Sequence, residues 1–172
     1  SVSRRYPFLT CTRVKPFVFR GSEFVPVPVP PPLRKLPDLG GGILGKDRDG
    51  APVRVTTLER TLVDVLAAPR HGGGWEEIWR SLESVEFFDL DAVTDYVLRL
   101  GSAVTVAKVG FYLDQHREEL MVEEWHLDRL REHAPSHPMY LERGKREPGK
   151  LLTRWNLVVP ERVLSRTWAE VT

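Results

Sequence analysis

The chain holds a single cysteine, Cys11, among its 172 residues. One thiol excludes an internal disulfide framework and any cysteine-only metal centre. Such sparing use of cysteine fits a reducing compartment. No apolar run approaches the roughly 20 residues that a membrane-spanning helix needs. The opening Ser1-Val2-Ser3-Arg4-Arg5 leads into strand-like sequence and not into the apolar stretch of a signal peptide. Neither charge is in excess, since 25 Lys and Arg face 24 Asp and Glu for a net +1. That balance argues against a protein that binds polyanions over its whole surface. An initiator methionine is also missing, and patterned sequence starts at once, so an N-terminal part of the parent protein is expected to be absent.

What is present describes an ordinary globular chain. Hydrophobic residues make up 41% and charged residues 28%, both usual for a soluble fold. A single domain spanning residues 1–172 would bury about 70% of its unfolded surface, enough for a core without disulfides. No internal repeat of about 20 to 50 residues is visible.

The two ends read as β and the middle as helix. Tyr6, Phe8, Thr10 and Thr12 alternate, and Val14 and Phe17-Val18-Phe19 follow. Arg20-Gly21-Ser22 predicts a hairpin before Phe24 to Val29. Prolines 26, 28, 30, 31 and 32 remove backbone donors, so this run is expected to be an edge strand passing into an extended connector. Asp49-Gly50 signals a turn, and Pro52 to Val55 a short strand. Thr56 and Glu59 have capping-box spacing, ahead of a stripe of Leu58, Leu62, Val65 and Leu66. Further helices follow, with apolar faces at Trp75, Ile78, Trp79 and Leu82, at Val93, Tyr96, Val97 and Leu100, at Val106, Val109, Gly110 and Leu113, and at Trp125, Leu127 and Leu130. Asp89 or Asp91 and Ser102 are candidate caps, and Gly101 is a helix stop. Met139 to Leu141 and Leu152 to Val159 predict a terminal β pair. Strands followed by helices argue for an α+β fold. We expect a small sheet of N- and C-terminal strands packed on a central bundle of about five helices.

The chemical motifs are thin. Gly40 to Lys46 has the G-x-x-x-x-G-K spacing of a phosphate loop. Asp47 replaces the magnesium-holding hydroxyl, and Asp49-Gly50-Ala51-Pro52 forbids the following helix. His133 and His137 are separated by Pro135, so they cannot share a helical face, and no H-E-x-x-H or G-x-S-x-G occurs. Asp91 and Asp95 lie one helical turn apart, but Asp89 and Asp91 stand where capping acids belong. The chain is therefore read as non-catalytic, without metal or cofactor. The rival enzymatic reading is a small nuclease or phosphate-handling protein using the acids near Asp89 to Asp95.

Charge along the chain is more telling than its total. Trp75 to Asp95 carries seven acids against Arg80 alone. Ser1 to Phe24 carries five bases against Glu23, and Arg129 to Arg154 seven bases against three acids. Two basic ends thus flank an acidic centre. Arg13, Lys15 and Arg20, together with Arg143, Lys145, Arg146, Lys150 and Arg154, are the candidate nucleic-acid contacts, expected on strands and on a glycine-containing loop. Glu76, Glu77 and Glu83 are the candidate surface for a basic partner.

From Val53 to Asp64 the sequence, with its T-x-x-E-R-T-L-V-D, resembles the C-terminal domain of the AbiEi-type antitoxins. The Gly-rich turn to Gly74, Asp95-Tyr96-Val97-Leu98-Arg99-Leu100-Gly101, Lys108 to Leu113 and Thr153 to Val159 follow in the family's order. The resemblance covers about residues 13 to 160. It implies a cytoplasmic bacterial antitoxin that counters a nucleotidyltransferase-like toxin, by contact or indirectly. It also implies that an N-terminal winged helix-turn-helix, not in this sequence, binds operator DNA and represses the operon. Through its basic surface, this region would support operator binding or self-association. A competing reading is the ligand-sensing or dimerisation domain of a transcription regulator unrelated to any toxin.

Overall fold

A computed structural model describes residues 4–142, 144 and 147–166. The fold is α+β, but among the described residues the N- and C-terminal strands do not share the expected sheet. The chain separates into two compact units, Ser1–Gly41 and Gly42–Thr172. The terminal strands belong to separate sheets, each closed by local partners.

In the first unit β1 (Arg5–Thr10), β2 (Phe17–Phe19) and β3 (Ser22–Pro28) form a sheet in the order β1-β3-β2. The hairpin between β2 and β3 turns through Arg20 and Gly21, both at positive φ (48° and 76°). That is the backbone a tight two-residue hairpin needs. The proline-bearing strand β3 is central, not an edge. Its Glu23 and Val29 amides donate to Arg4 and Thr10 carbonyls on the β1 side, each at 2.9 Å. Amides alternate sides along a strand, so Pro26 and Pro28 fall on the β2 side. There β2 has already ended, since it pairs only with Ser22 to Phe24. The prolines cost no ladder bond.

The second unit opens with a hairpin of β4 (Ile43–Arg48) and β5 (Ala51–Thr56). Its turn is Asp49-Gly50, as expected, both at positive φ. Gly45 and Lys46 pair with Arg54 and Val53 inside this hairpin, so the phosphate-loop spacing belongs to a strand. Because Thr56 is consumed by pairing with Ile43, the cap of α1 (Leu58–Ala67) passes to Thr57, which accepts from the Arg60 amide. The predicted Thr56–Glu59 box does not form. Glu59 instead accepts a 3.2 Å bond from the Asp89 amide. Leu58 is exposed, and the buried face of α1 is Leu62, Val63 and Leu66 with Arg60.

The helices α2 (Trp75–Glu83), α3 (Leu90–Leu100), α4 (Ala103–Gln115) and α5 (Glu124–Arg131) follow. Asp89 caps α3 and Ser102 caps α4, with Gly101 left-handed between them. Trp75, Ile78, Trp79 and Leu82 are buried as their spacing requires, and so are Val93, Tyr96 and Val97. Trp125 stays exposed, its indole donating to Glu123. From Thr105 to Leu113, α4 is buried on every side.

Among the described residues the C-terminal sheet has three strands. β6 (Met139–Tyr140) runs parallel and β7 (Gly149–Leu152) antiparallel to a central β8 (Leu157–Pro160), and a short α6 (Glu161–Leu164) follows. Trp155, at the β7–β8 turn, lies against Gly110 of α4, so closely that a methyl there would sit 2.2 Å from the indole ring.

Candidate nucleic-acid interface

The motif that carries the family resemblance builds an internal network. Arg60 is buried within α1, and its Nε lies 3.4 Å from Asp64 Oδ2. The Tyr96 hydroxyl donates to Asp64 Oδ1 at 2.7 Å from α3, and the Arg60 guanidinium stands 4.9 Å over the Tyr96 ring. Burial lifts the Asp64 carboxyl above the usual aspartate range, against the pull of the Tyr96 bond and Arg60. Burial and the Asp64 charge together push the Tyr96 phenol far up. A phenol that keeps its proton and a carboxylate held by a cation make a structural clamp.

The basic candidates divide by what already holds them. Arg13 and Lys15 lie on the exposed β1–β2 connection, not on a strand, and Arg20 lies in the hairpin turn with its guanidinium 5.3 Å over the Phe19 ring. Lys150 is exposed on edge strand β7. Arg143, Lys145 and Arg146 lie outside the described residues. Arg154 sits in the β7–β8 turn and not on the last strand. It bonds Glu124, approaches Asp114 at 3.7 Å and stacks beside Trp155. Arg117 joins from the other side, 2.7 Å from Asp114 and 2.8 Å from Glu124, and its bond holds the Glu124 carboxyl below the usual range. The charge of Arg154 is therefore already matched within the fold.

The acidic candidates are partly matched as well. Glu76 pairs with Arg80 at 2.6 Å, and Glu83 faces Arg166 at 3.5 Å. Glu76 and Glu77 line an open groove of about 500 Å³ with Gly73, Arg80 and Ser81. Asp91 and Asp95 do share a face, and they clasp Arg129 at 2.8 and 3.2 Å. Among the described residues, no group of three or more His, Cys, Asp or Glu is placed to hold a metal ion. Nor is any described helix long and apolar enough to cross a membrane.

Two features escaped the sequence reading. Lys108 is buried in α4 with its ammonium 5.8 Å over the Trp75 ring. Burial lowers its pKa to about 8, against the attraction of Glu142. The helical stripe of α4 gives no warning of this, because Lys108 falls between Val106 and Val109 on a helix with no exposed side. The second is an aromatic row across the first unit's sheet. Tyr6, Phe24 and Phe17 stand on β1, β3 and β2, with ring centroids 5.5 and 5.0 Å apart and the second pair tilted only 5°. Phe8 leans on Phe17 at 5.9 Å. The alternation of Tyr6 and Phe8 marked a strand, but which rings meet depends on a pairing register that sequence does not state.

Comparison with family models, curated proteins and solved structures finds no match to this chain.

Proposed function

We propose that this chain is a non-enzymatic antitoxin domain of the AbiEi type, which counters a nucleotidyltransferase-like toxin. In the full-length protein it supports operator repression. One observation carries the reading: the residues of the resemblance, Arg60, Asp64 and Tyr96 with Glu59, bond to one another or to the α3 cap. They hold a scaffold, as expected of a domain that acts by binding. Activity then belongs to the surface. The groove at Glu76 and Glu77 suits a basic protein partner, and exposed Arg13, Lys15 and Arg20 suit nucleic acid.

The test is co-expression with the toxin encoded beside it, read as colony survival. The full-length protein should restore growth, and the double variant Glu76→Lys/Glu77→Lys should restore it less if contact is direct. Failure of the unaltered protein to protect would sink the antitoxin role.

A further inference from the structure

We propose that the aromatic face of the β1-β3-β2 sheet is a platform for single-stranded nucleic acid. This deepens the nucleic-acid reading of Arg13, Lys15 and Arg20 and rests on it. It does not depend on the antitoxin role.

The argument starts from strand phase. Tyr6 and Phe8 on β1, Phe24 on β3, and Phe17 and Phe19 on β2 share one face by register, since Tyr6 and Phe17 both stand opposite Phe24. Tyr6, Phe17 and Phe19 are 42%, 47% and 58% exposed. Three large rings left in water on one sheet face are costly unless something covers them. The Tyr6–Phe24–Phe17 row ends on the two edge strands, so among the described residues no further strand closes either end. A nucleobase is a flat ring that can prolong such a row, and stacking of this kind tolerates any sequence.

Charge selects the occupant. In residues 1 to 24 the one acid is Glu23. It lies on the opposite face, in register with Arg5 and 3.4 Å from it. The aromatic face is left with cations at both ends. Arg4 is in phase with Tyr6 at the start of β1, and Arg20 lies over Phe19 at the same end. Arg13 and Lys15 follow the far end of β1 on the exposed connection. Rings in the middle with cations at either end match the two parts of a single strand, its bases and its phosphates. Duplex DNA keeps its bases stacked inside and offers such rings nothing to stack on. An apolar protein partner would leave the four cations without a role.

The test uses the whole chain and fluorescein-labelled oligonucleotides of about 12 nucleotides, within the range one small domain covers. Anisotropy is read for oligo-dT, a mixed single strand and a duplex of the same length, from about 50 to about 200 mM salt. Single strands should bind more tightly than duplex by about tenfold or more, with a log–log salt slope of about −3 for four phosphate contacts. Arg13→Gln/Lys15→Gln should make that slope about 1.4 less negative. Phe17→Leu should weaken binding about fivefold and leave the slope unchanged. Circular dichroism and melting establish that both variants stay folded, and Tyr6→Leu provides a second ring variant should Phe17→Leu unfold.

Three results overturn the proposal. If duplex binds as tightly as single strand, the platform fails while the basic nucleic-acid surface survives. If neither binds, both fail. If folded ring variants bind like the unaltered chain, the aromatic row is not the site.

Discussion

The Tyr96 hydroxyl reaches from α3 to Asp64 on α1 and donates a 2.7 Å hydrogen bond to a carboxylate that also faces the buried Arg60. One side chain thus serves two helices and one cation. Tyr96→Phe removes the donor and keeps the ring under Arg60, so it should cost about 1–2 kcal/mol. Asp64→Ala removes the carboxylate that the buried guanidinium faces and should cost about 3 kcal/mol or more. Urea melts should rank the two in that order, with helical content retained in both.

Gly110 and Trp155 make the second prediction. Adding a methyl to a helical glycine ordinarily helps by about 1 kcal/mol. Here the methyl would meet the indole at 2.2 Å, so Gly110→Ala should destabilise by about 1–3 kcal/mol through overpacking. Trp155→Leu alone should destabilise by leaving a cavity. Combined, the two changes should cost less than their sum, and a double-mutant cycle reads that coupling.

Lys108 gives a pH dependence with a definite sign. Its folded pKa of about 8 lies below the ordinary 10.5. Between those values the unfolded chain holds a proton that the folded chain does not, so stability rises as pH climbs through this window. Below pH 8 the full burial penalty applies. Lys108→Met should therefore raise stability at neutral pH by about 1–2 kcal/mol. That gain is smaller than the whole shift, because the contact with Trp75 and the pull of Glu142 are lost. The variant should also lose the unaltered chain's gain between pH 8 and 10.5, checked by urea melts across that range.

Arg154 separates a structural cation from a binding one. Its guanidinium is engaged by Glu124 and Asp114, so Arg154→Ala should lower Tm by roughly 2–4 °C. It should leave the salt slope of oligonucleotide binding where it was. A change in slope without a change in Tm would place Arg154 among the phosphate contacts instead.

These residues also show what a sequence can and cannot say. Helix positions, the Ser102 cap, the left-handed Gly101 and the α2 core face were legible, because spacing and local chemistry determine them. The Arg60–Asp64 pair obeys the same local rule, as neighbours one turn apart. Errors appeared wherever a distant partner decided the outcome. Thr56 lost its cap because Ile43 pairs with it, and Glu59 went to Asp89 across the helix packing. β3 became central because β1 and β2 flank it, and its prolines were harmless only because β2 is short. Arg154 looked like a surface cation because Glu124, its partner, is thirty residues away. The aromatic row was hidden likewise, each ring being an ordinary strand residue until register aligned three of them.

Helix α4, buried on every side from Thr105 to Leu113, packs against α1, α3, α5 and β8 at once. None of those neighbours can peel away without wetting part of it. Local fraying therefore cannot reach its backbone, and its amides should be the last in the chain to exchange with deuterium. The second unit then lacks a stable half: a cut within α4 would leave not a smaller domain but two fragments, each missing the surface around which it assembles.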